Sequence, residues 1–320
     1  MIKKQWPILA VGLSAVLALG GCAATEAPSQ EGGPIKIRIA HNSNAAVLPA
    51  RIALEQGFFE DEGLDVTFTT VENIATLPPA LGKSFDIVQT PPTSLIAANA
   101  QGIGMIGIAG ATIDIPENPT SGIVTLKSSG ITSIEQLEGK TLGVLTETGT
   151  LHTAARFWLD KAGVPLDSVK IVQIDGPAQA DQLRSGRIDA VETLAPFRGT
   201  LLALGDTTDL GDPYLEMAPE LGAMMWGAQR EWGEANPEAL DGFRAALASA
   251  IDFIATNDEE SRAILMDYTG LSEEIIGKTV LPTFDSALRP QDLEIWLEAM
   301  RKVGGFEGDI ELDDLIPAAD

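Results

Sequence analysis

IKIRIA, residues 35–40, alternates apolar and mostly charged side chains with a period of two, the mark of a strand with a buried face. LDVTFTTV, residues 64–71, repeats the alternation with β-branched residues. Between them Pro49 suits the first turn of a helix that carries Ile52, Ala53 and Leu54 and stops near Gly57. A short helix is expected up to Leu81, then a strand over residues 85–89, a helix over 93–100 and an apolar strand over 104–109. Strand and helix alternate four times before residue 110, which predicts an α/β fold with a mostly parallel sheet and helices on both faces.

The alternation then repeats. Strands are predicted over 122–126, 141–145, 169–174 and 188–192, with a helical turn at 133–137 and a helix over 178–184. A helix over 151–162 places Ala155, Trp158, Leu159 and Ala162 on one stripe. Residues 221–227 are apolar enough for a returning strand. From Asn236 the chain turns helical: Leu240, Phe243, Leu247, Ile251 and Ile254 recur at three and four residues, and Leu293, Trp296, Leu297 and Met300 form the inner stripe of a last helix. Two α/β units and a helical tail are the expectation.

Lys3 and Lys4 precede an apolar run, residues 7–19, that ends in Gly20-Gly21-Cys22. This is the n-, h- and c-region order of a signal peptide, and the run is shorter than the roughly 20 residues a bilayer requires. The small residues before Cys22, the only cysteine, resemble a bacterial lipobox, which implies lipidation of Cys22, export and a membrane anchor. Residues 22–34, small and rich in Gly and Pro, read as a flexible tether. The chain has 46 acidic and 21 basic residues, a net charge of −25, and without the two lysines of residues 1–21 the charge is −27. Nucleic acid is excluded as a partner, since its phosphates would be repelled. With Cys22 spent, no thiol remains for disulfides, zinc or iron–sulfur clusters.

Catalytic signatures such as Gly-x-Ser-x-Gly, a Walker loop or His-Glu-x-x-His are missing. His41 ends the first strand, where open α/β sheets place ligands, and His152 opens a helix; neither has the spacing of a metal site, so no metal and no cofactor are expected. Thr146, Thr148, Gly149 and Thr150 lie between a strand and a helix, where hydroxyls and bare N–H groups suit an anion or a hydrogen-bond acceptor; the alternative is a plain helix cap. Gln89, Thr90, Pro91 and Thr93 occupy a similar turn. Thr193 to Phe197 follow another strand, and Phe197 or Trp226 could wall a ligand, although aromatic and Met side chains in such strands also serve as core.

These segments together match a family. ALEQGFFEDEGL (residues 53–64) resembles the A-x-x-x-G-[FY]-F-x-x-x-G-L segment of ABC-importer solute-binding proteins, in the branch of sulfonate, taurine, nitrate and thiamine-precursor binders. Phe85-Asp86-Ile87-Val88, IEQLEGKTLGV (134–144), GRIDAV (186–191) and Asn236-Pro237-Glu238-Ala239 resemble further segments of that branch in the same order. The resemblance spans residues 35–305 and implies a periplasmic-binding-protein fold of type II. Two α/β lobes, residues 35–121 with 228–320 and residues 122–227, would be joined by two hinge strands around a ligand cleft. It also implies cleft positions at His41, Asn42, Ser43, Gln89, Thr90, Pro91, Thr146, Thr148, Gly149, Thr150, Thr193 and Phe197. Where many members have Trp-x-Pro, this chain has Leu194-Ala195-Pro196, so a stacked ligand would need Phe197 or Trp226.

The function so implied is a monomeric, non-enzymatic binding protein that delivers a small solute to a permease and its ATPase. Hydroxyl- and amide-lined turns suit an oxyanion such as a sulfonate, and a thiamine precursor is the other ligand considered. An enzyme on the same fold, such as a pyrimidine synthase, and a sensory partner of a membrane receptor are the competing roles. Arg51, Arg156 and Arg198 are the arginines whose facing would decide between anion and neutral ligand.

Overall fold

The computed structural model describes residues 33–304 and 306–316; the segments predicted as signal peptide and tether, with Cys22, lie outside them apart from residues 33 and 34. Among the described residues eleven strands run in chain order: β1 (Ile35–His41), β2 (Leu64–Thr70), β3 (Ile87–Thr90), β4 (Met105–Asp114), β5 (Ser121–Leu126), β6 (Thr141–Val144), β7 (Lys170–Gln173), β8 (Ala190–Leu194), β9 (Thr207–Gly211), β10 (Leu221–Gln229) and β11 (Thr283–Phe284). The helices are α1 (Leu48–Glu55), α2 (Phe58–Asp61), α3 (Pro92–Ala100), α4 (Thr150–Lys161), α5 (Gln179–Arg184), α6 (Phe197–Ala203), α7 (Arg230–Ala235), α8 (Pro237–Thr256), α9 (Asp258–Thr269), α10 (Glu273–Lys278) and α11 (Pro290–Lys302). Among the described residues no helix is long and apolar enough to cross a membrane.

The first sheet has the order β11-β4-β10-β3-β1-β2 and is covered on both faces. The β1 alternation sends Ile37 and Ile39 into a cluster with α1 and α8, where Phe243 and Leu247 lie, and Ala40 into a cluster with α3 and α11 around Trp296 and Leu297. The second sheet, β7-β6-β8-β5-β9, packs Leu142 and Val144 with Trp158 and Leu159 of α4 on one face, and Val191 with Leu183 and Leu201 on the other.

Both sheets are mixed, not mostly parallel. β1, β2 and β3 run parallel, as do β6, β7 and β8, but β10 is antiparallel to β3 and β4, and β5 is antiparallel to β8 and β9. The cause is the route of the chain. It leaves the first sheet after β4, re-enters after β9, and the returning β10 slots between β3 and β4 against their direction. The helix expected up to Leu81 is replaced by two 3-10 turns, Ile74–Thr76 and Pro78–Ala80, because Pro78 and Pro79 interrupt helical hydrogen bonding. The turn expected at Phe197 opens α6 instead.

The sheets also touch beside the crossing segments, within the unit Pro34–Asp320. Leu151 and Ala154 of α4 join the apolar cluster around Trp296 of α11. Arg156 donates to the Val303 carbonyl at 2.8 Å, and Lys302 pairs with Asp160 at 3.1 Å.

Candidate functional site

Open α/β sheets offer ligands the carboxyl edge of their parallel strands. In the first sheet that edge is made by the ends of β1 and β3. His41 is 0% exposed, with its ring edge-on to Phe68 at 5.2 Å and Tyr268 at 6.5 Å. Its Nδ1 bonds the Asn42 carbonyl at 2.9 Å, so Nδ1 carries the proton and Nε2 is the bare nitrogen of the neutral ring. Nε2 has no partner among the described residues. Burial lowers the His41 pKa, and the charge of Arg51 lowers it further.

Gln89 is fully buried and spends its amide on the neighbouring loop: Oε1 accepts from the Asn42 N–H at 3.3 Å and Nε2 donates to Asn44 Oδ1 at 3.1 Å. Thr90 and Pro91 are buried as well, the Thr90 hydroxyl donating to the Pro91 carbonyl at 3.3 Å. Ser43 is exposed and Asn42 half-buried; the Ser43 hydroxyl donates to the Tyr268 carbonyl at 3.4 Å and Asn42 Oδ1 accepts from the Asn44 amide, while Gln89 shapes the loop that holds them.

In the second sheet the edge is made by the ends of β6 and β8. Thr146 and Thr148 are exposed, and the Thr148 N–H donates to Thr146 Oγ1 at 3.4 Å. Gly149 has a φ of 92°, a turn that brings the chain into α4 and that side-chain-bearing residues rarely adopt. Thr150 is buried, its hydroxyl 3.1 Å from the Tyr214 hydroxyl. Thr193 is buried and donates to Gln179 Oε1 at 2.7 Å. Phe197 is half-buried, its ring filling the space over Gly176. Trp226 is a core residue: it is 1% exposed and meets Phe243 edge-on at 5.6 Å, so its ring does not line a cleft. Among the predicted positions Ser43, Thr146 and Thr148 are thus exposed and Asn42 half-buried, while Gln89, Thr90, Thr150 and Thr193 are buried.

A buried acidic group around the crossing segments escaped sequence reading. Asp212 accepts from the Ser121 N–H at 3.1 Å and the Tyr214 N–H at 2.8 Å, and also from the Ser121 hydroxyl. Asp114 accepts from the Thr120 N–H at 3.0 Å and hydroxyl at 2.7 Å. Burial, reinforced by the charge of Asp212, raises the Asp114 pKa to about 7. Glu192 is 0% exposed and paired with His152 Nδ1 at 3.1 Å, while its Oε1 has no partner among the described residues; burial raises its pKa. The one visible signal was a lone carboxylate inside the apolar strand around Val191. Among the described residues no three His, Cys, Asp or Glu side chains converge as a metal site would require.

The family model described as NMT1/THI5 like matches residues 44–261, more than half of the chain. The chain belongs to the NMT1/THI5-like family. This NMT1/THI5-like chain is 26% identical over 230 residues to the 4-amino-5-hydroxymethyl-2-methylpyrimidine phosphate synthase of Candida albicans, covering 68% of this chain and 66% of that one. It is 27% identical over 221 residues to a Brucella abortus protein named as a binding protein, covering 66% and 64%. It thus spans just under two thirds of the length of these relatives. In structure it is similar to the periplasmic aliphatic sulphonate binding protein SsuA of Escherichia coli, with a TM-score of 0.76, 16% identity, and coverage of 90% of this chain and 94% of that one. The NMT1/THI5-like chain accordingly has the fold of a periplasmic binding protein, in agreement with the fold that the resemblance in its sequence implies.

Proposed function

We propose that the chain is the extracytoplasmic solute-binding component of an ABC importer, which captures one small solute between its two sheets and presents it to a permease. The observation that carries this reading is the topology: two α/β sheets, exchanging only the segments after β4 and β9, each ending in polar loops at a carboxyl edge. Ligand contacts made by both edges together favour the closed arrangement, so capture and closure are one event. The lobes are residues 35–121 with 228–320 and residues 122–227, the protein acts as a monomer, and a lipid on Cys22 anchors it. The solute is a sulfonate-like oxyanion; the name of the Candida relative supports a pyrimidine as the second reading.

The test is a thermal-shift panel of sulfonates, nitrate, pyrimidines and amino acids on the purified full-length chain, with small-angle scattering on any hit. One solute class raising the melting temperature and shrinking the molecule is the expected result. A silent panel, or conversion of a solute to product, counts against a transport role. Cys22→Ser should release the protein from membranes; a variant that stays in the membrane fraction ends the anchor proposal.

A further inference from the structure

Arg51 is the fourth residue of α1, at the end of the first sheet where β1 and β2 finish. Its guanidinium carbon lies 5.4 Å from the ring centroid of Phe68 and 5.4 Å from that of Tyr268. Its Nε is buried without a partner, and no hydrogen bond or ion pair reaches the side chain from any described residue. The Nε of Arg156 and of Arg198 is unpartnered as well, but the terminal nitrogens of these two are engaged, Arg198 with a carboxylate and Arg156 with a carbonyl, and half-buried Arg262 and Arg289 also hold carboxylates. The chain has 46 acidic residues against 21 basic ones, so an arginine without an oxygen partner stands out.

Buried polar groups almost always find partners, and charged ones are costly without them. The two aromatic faces hold the cation by cation–π attraction but leave its buried Nε–H without an oxygen acceptor. A second vacancy lies beside it in the same group of side chains. His41, 0% exposed, packs against the same two rings; its bare Nε2 is an acceptor, so it can meet a hydroxyl or N–H of a solute but not the anionic oxygens themselves. The Tyr268 hydroxyl donates to the Asn44 carbonyl at 2.8 Å, which ties this niche to the 42–44 loop of the candidate site.

We propose that Arg51, clamped between Phe68 and Tyr268 beside His41, anchors an acidic oxygen-bearing group of the captured solute: a carboxylate, sulfonate or phosphate. The inference rests on the solute-binding reading above, including its oxyanion, and adds the residue that holds and selects that group. Arg51 presents a planar fork that suits such a group, and the rings fix the fork in place before the solute arrives.

The test is calorimetric titration of the purified full-length chain with methanesulfonate, acetate and inorganic phosphate, and with dimethyl sulfone as the neutral counterpart of methanesulfonate. At least one acidic probe should bind, dimethyl sulfone at least about tenfold more weakly, as expected for loss of a charged hydrogen bond. Arg51→Gln should weaken the acidic probe by a similar factor with the melting temperature nearly unchanged. Arg51→Lys should recover part of the binding, since it keeps the charge and loses the fork. Equal binding of the neutral probe, unaltered binding by Arg51→Gln, or no binding of any acidic probe overturns the anchor. If a neutral solute from the wider panel still raises the melting temperature, the anchor alone falls; if the whole panel is silent, the solute-binding reading falls with it.

Discussion

The Asp212 carboxylate, just past β9, accepts the backbone N–H of Ser121, the first residue of β5, at 3.1 Å. This bond joins the outgoing and returning crossing segments where the chain passes between its two sheets. The same carboxylate receives the Ser121 hydroxyl and the Tyr214 N–H, so three donors depend on one side chain.

Asp212→Ala should destabilise the protein by about 1–3 kcal/mol, the cost of leaving buried donors unmet. Asp212→Asn, which keeps an acceptor oxygen, should lose less. Urea denaturation of both variants checks the ordering; an alanine variant as stable as the parent would show that the donors find other partners.

Asp114 supplies a pH dependence of definite sign. In the folded protein its pKa is raised to about 7, mainly by burial, from the ordinary aspartate value of 3.8. Between those values the folded state holds a proton that the unfolded chain releases, so this contribution to stability is complete in acid and lost as pH rises toward 7. Asp212 and Glu192 are raised by burial and act in the same sense, while Asp86, bonded to Arg38, is lowered and acts in the opposite one. The variant comparison isolates Asp114: the fall in melting temperature from pH 5 to pH 8 should shrink in Asp114→Asn. An unchanged fall would exclude Asp114 as its source.

Trp226 separates core from cleft. Trp226→Ala should cost about 3–5 kcal/mol, as large-to-small changes in cores do, whereas Trp226→Phe should keep solute affinity unaltered. Chemical denaturation and calorimetry on the two variants give the two numbers. A loss of affinity in the phenylalanine variant at unchanged stability would return the ring to the binding surface.

Gly110 lies where the segment before α11 crosses β4. Its N–H donates to the Ser286 carbonyl at 3.0 Å, and an added Cβ would lie 2.4 Å from the Asp285 carbonyl oxygen and 2.5 Å from that of Ala287. Backbone cannot yield as a side-chain tip can, so Gly110→Ala should lose roughly 1–3 kcal/mol, the range for overpacking. A melting temperature equal to the parent's would mean that residues 285–287 are free to shift.

The elements read correctly in advance are those whose pattern is local. Ile37 and Ile39 of β1, and Leu293, Trp296, Leu297 and Met300 of α11, are buried as their periodicity requires. β9 carries Thr207, Thr208 and Asp209 and among the described residues pairs with β5 alone, so its strand character comes from a partner far away in sequence. Strand direction was hidden for the same reason, since it depends on where β10 returns. At the site, the chemistry of Gln89 and Thr193 was visible but their burial was not, because the facing of a polar strand residue is settled by the layer above it. Arg51 was visible as a charge; its place between Phe68 and Tyr268 depends on α9, which follows more than two hundred residues later.

The position of β10 also governs assembly in time. During synthesis β3 and β4 emerge early, yet they never become neighbours, because the space between them belongs to a strand that begins more than a hundred residues after Asp114. The gap between β3 and β4 stays open until Gln229 has been made, and β11 joins the far edge later still; long-range pairing of this kind is slow. The nascent polypeptide therefore has a built-in delay before its amino-terminal half can lock.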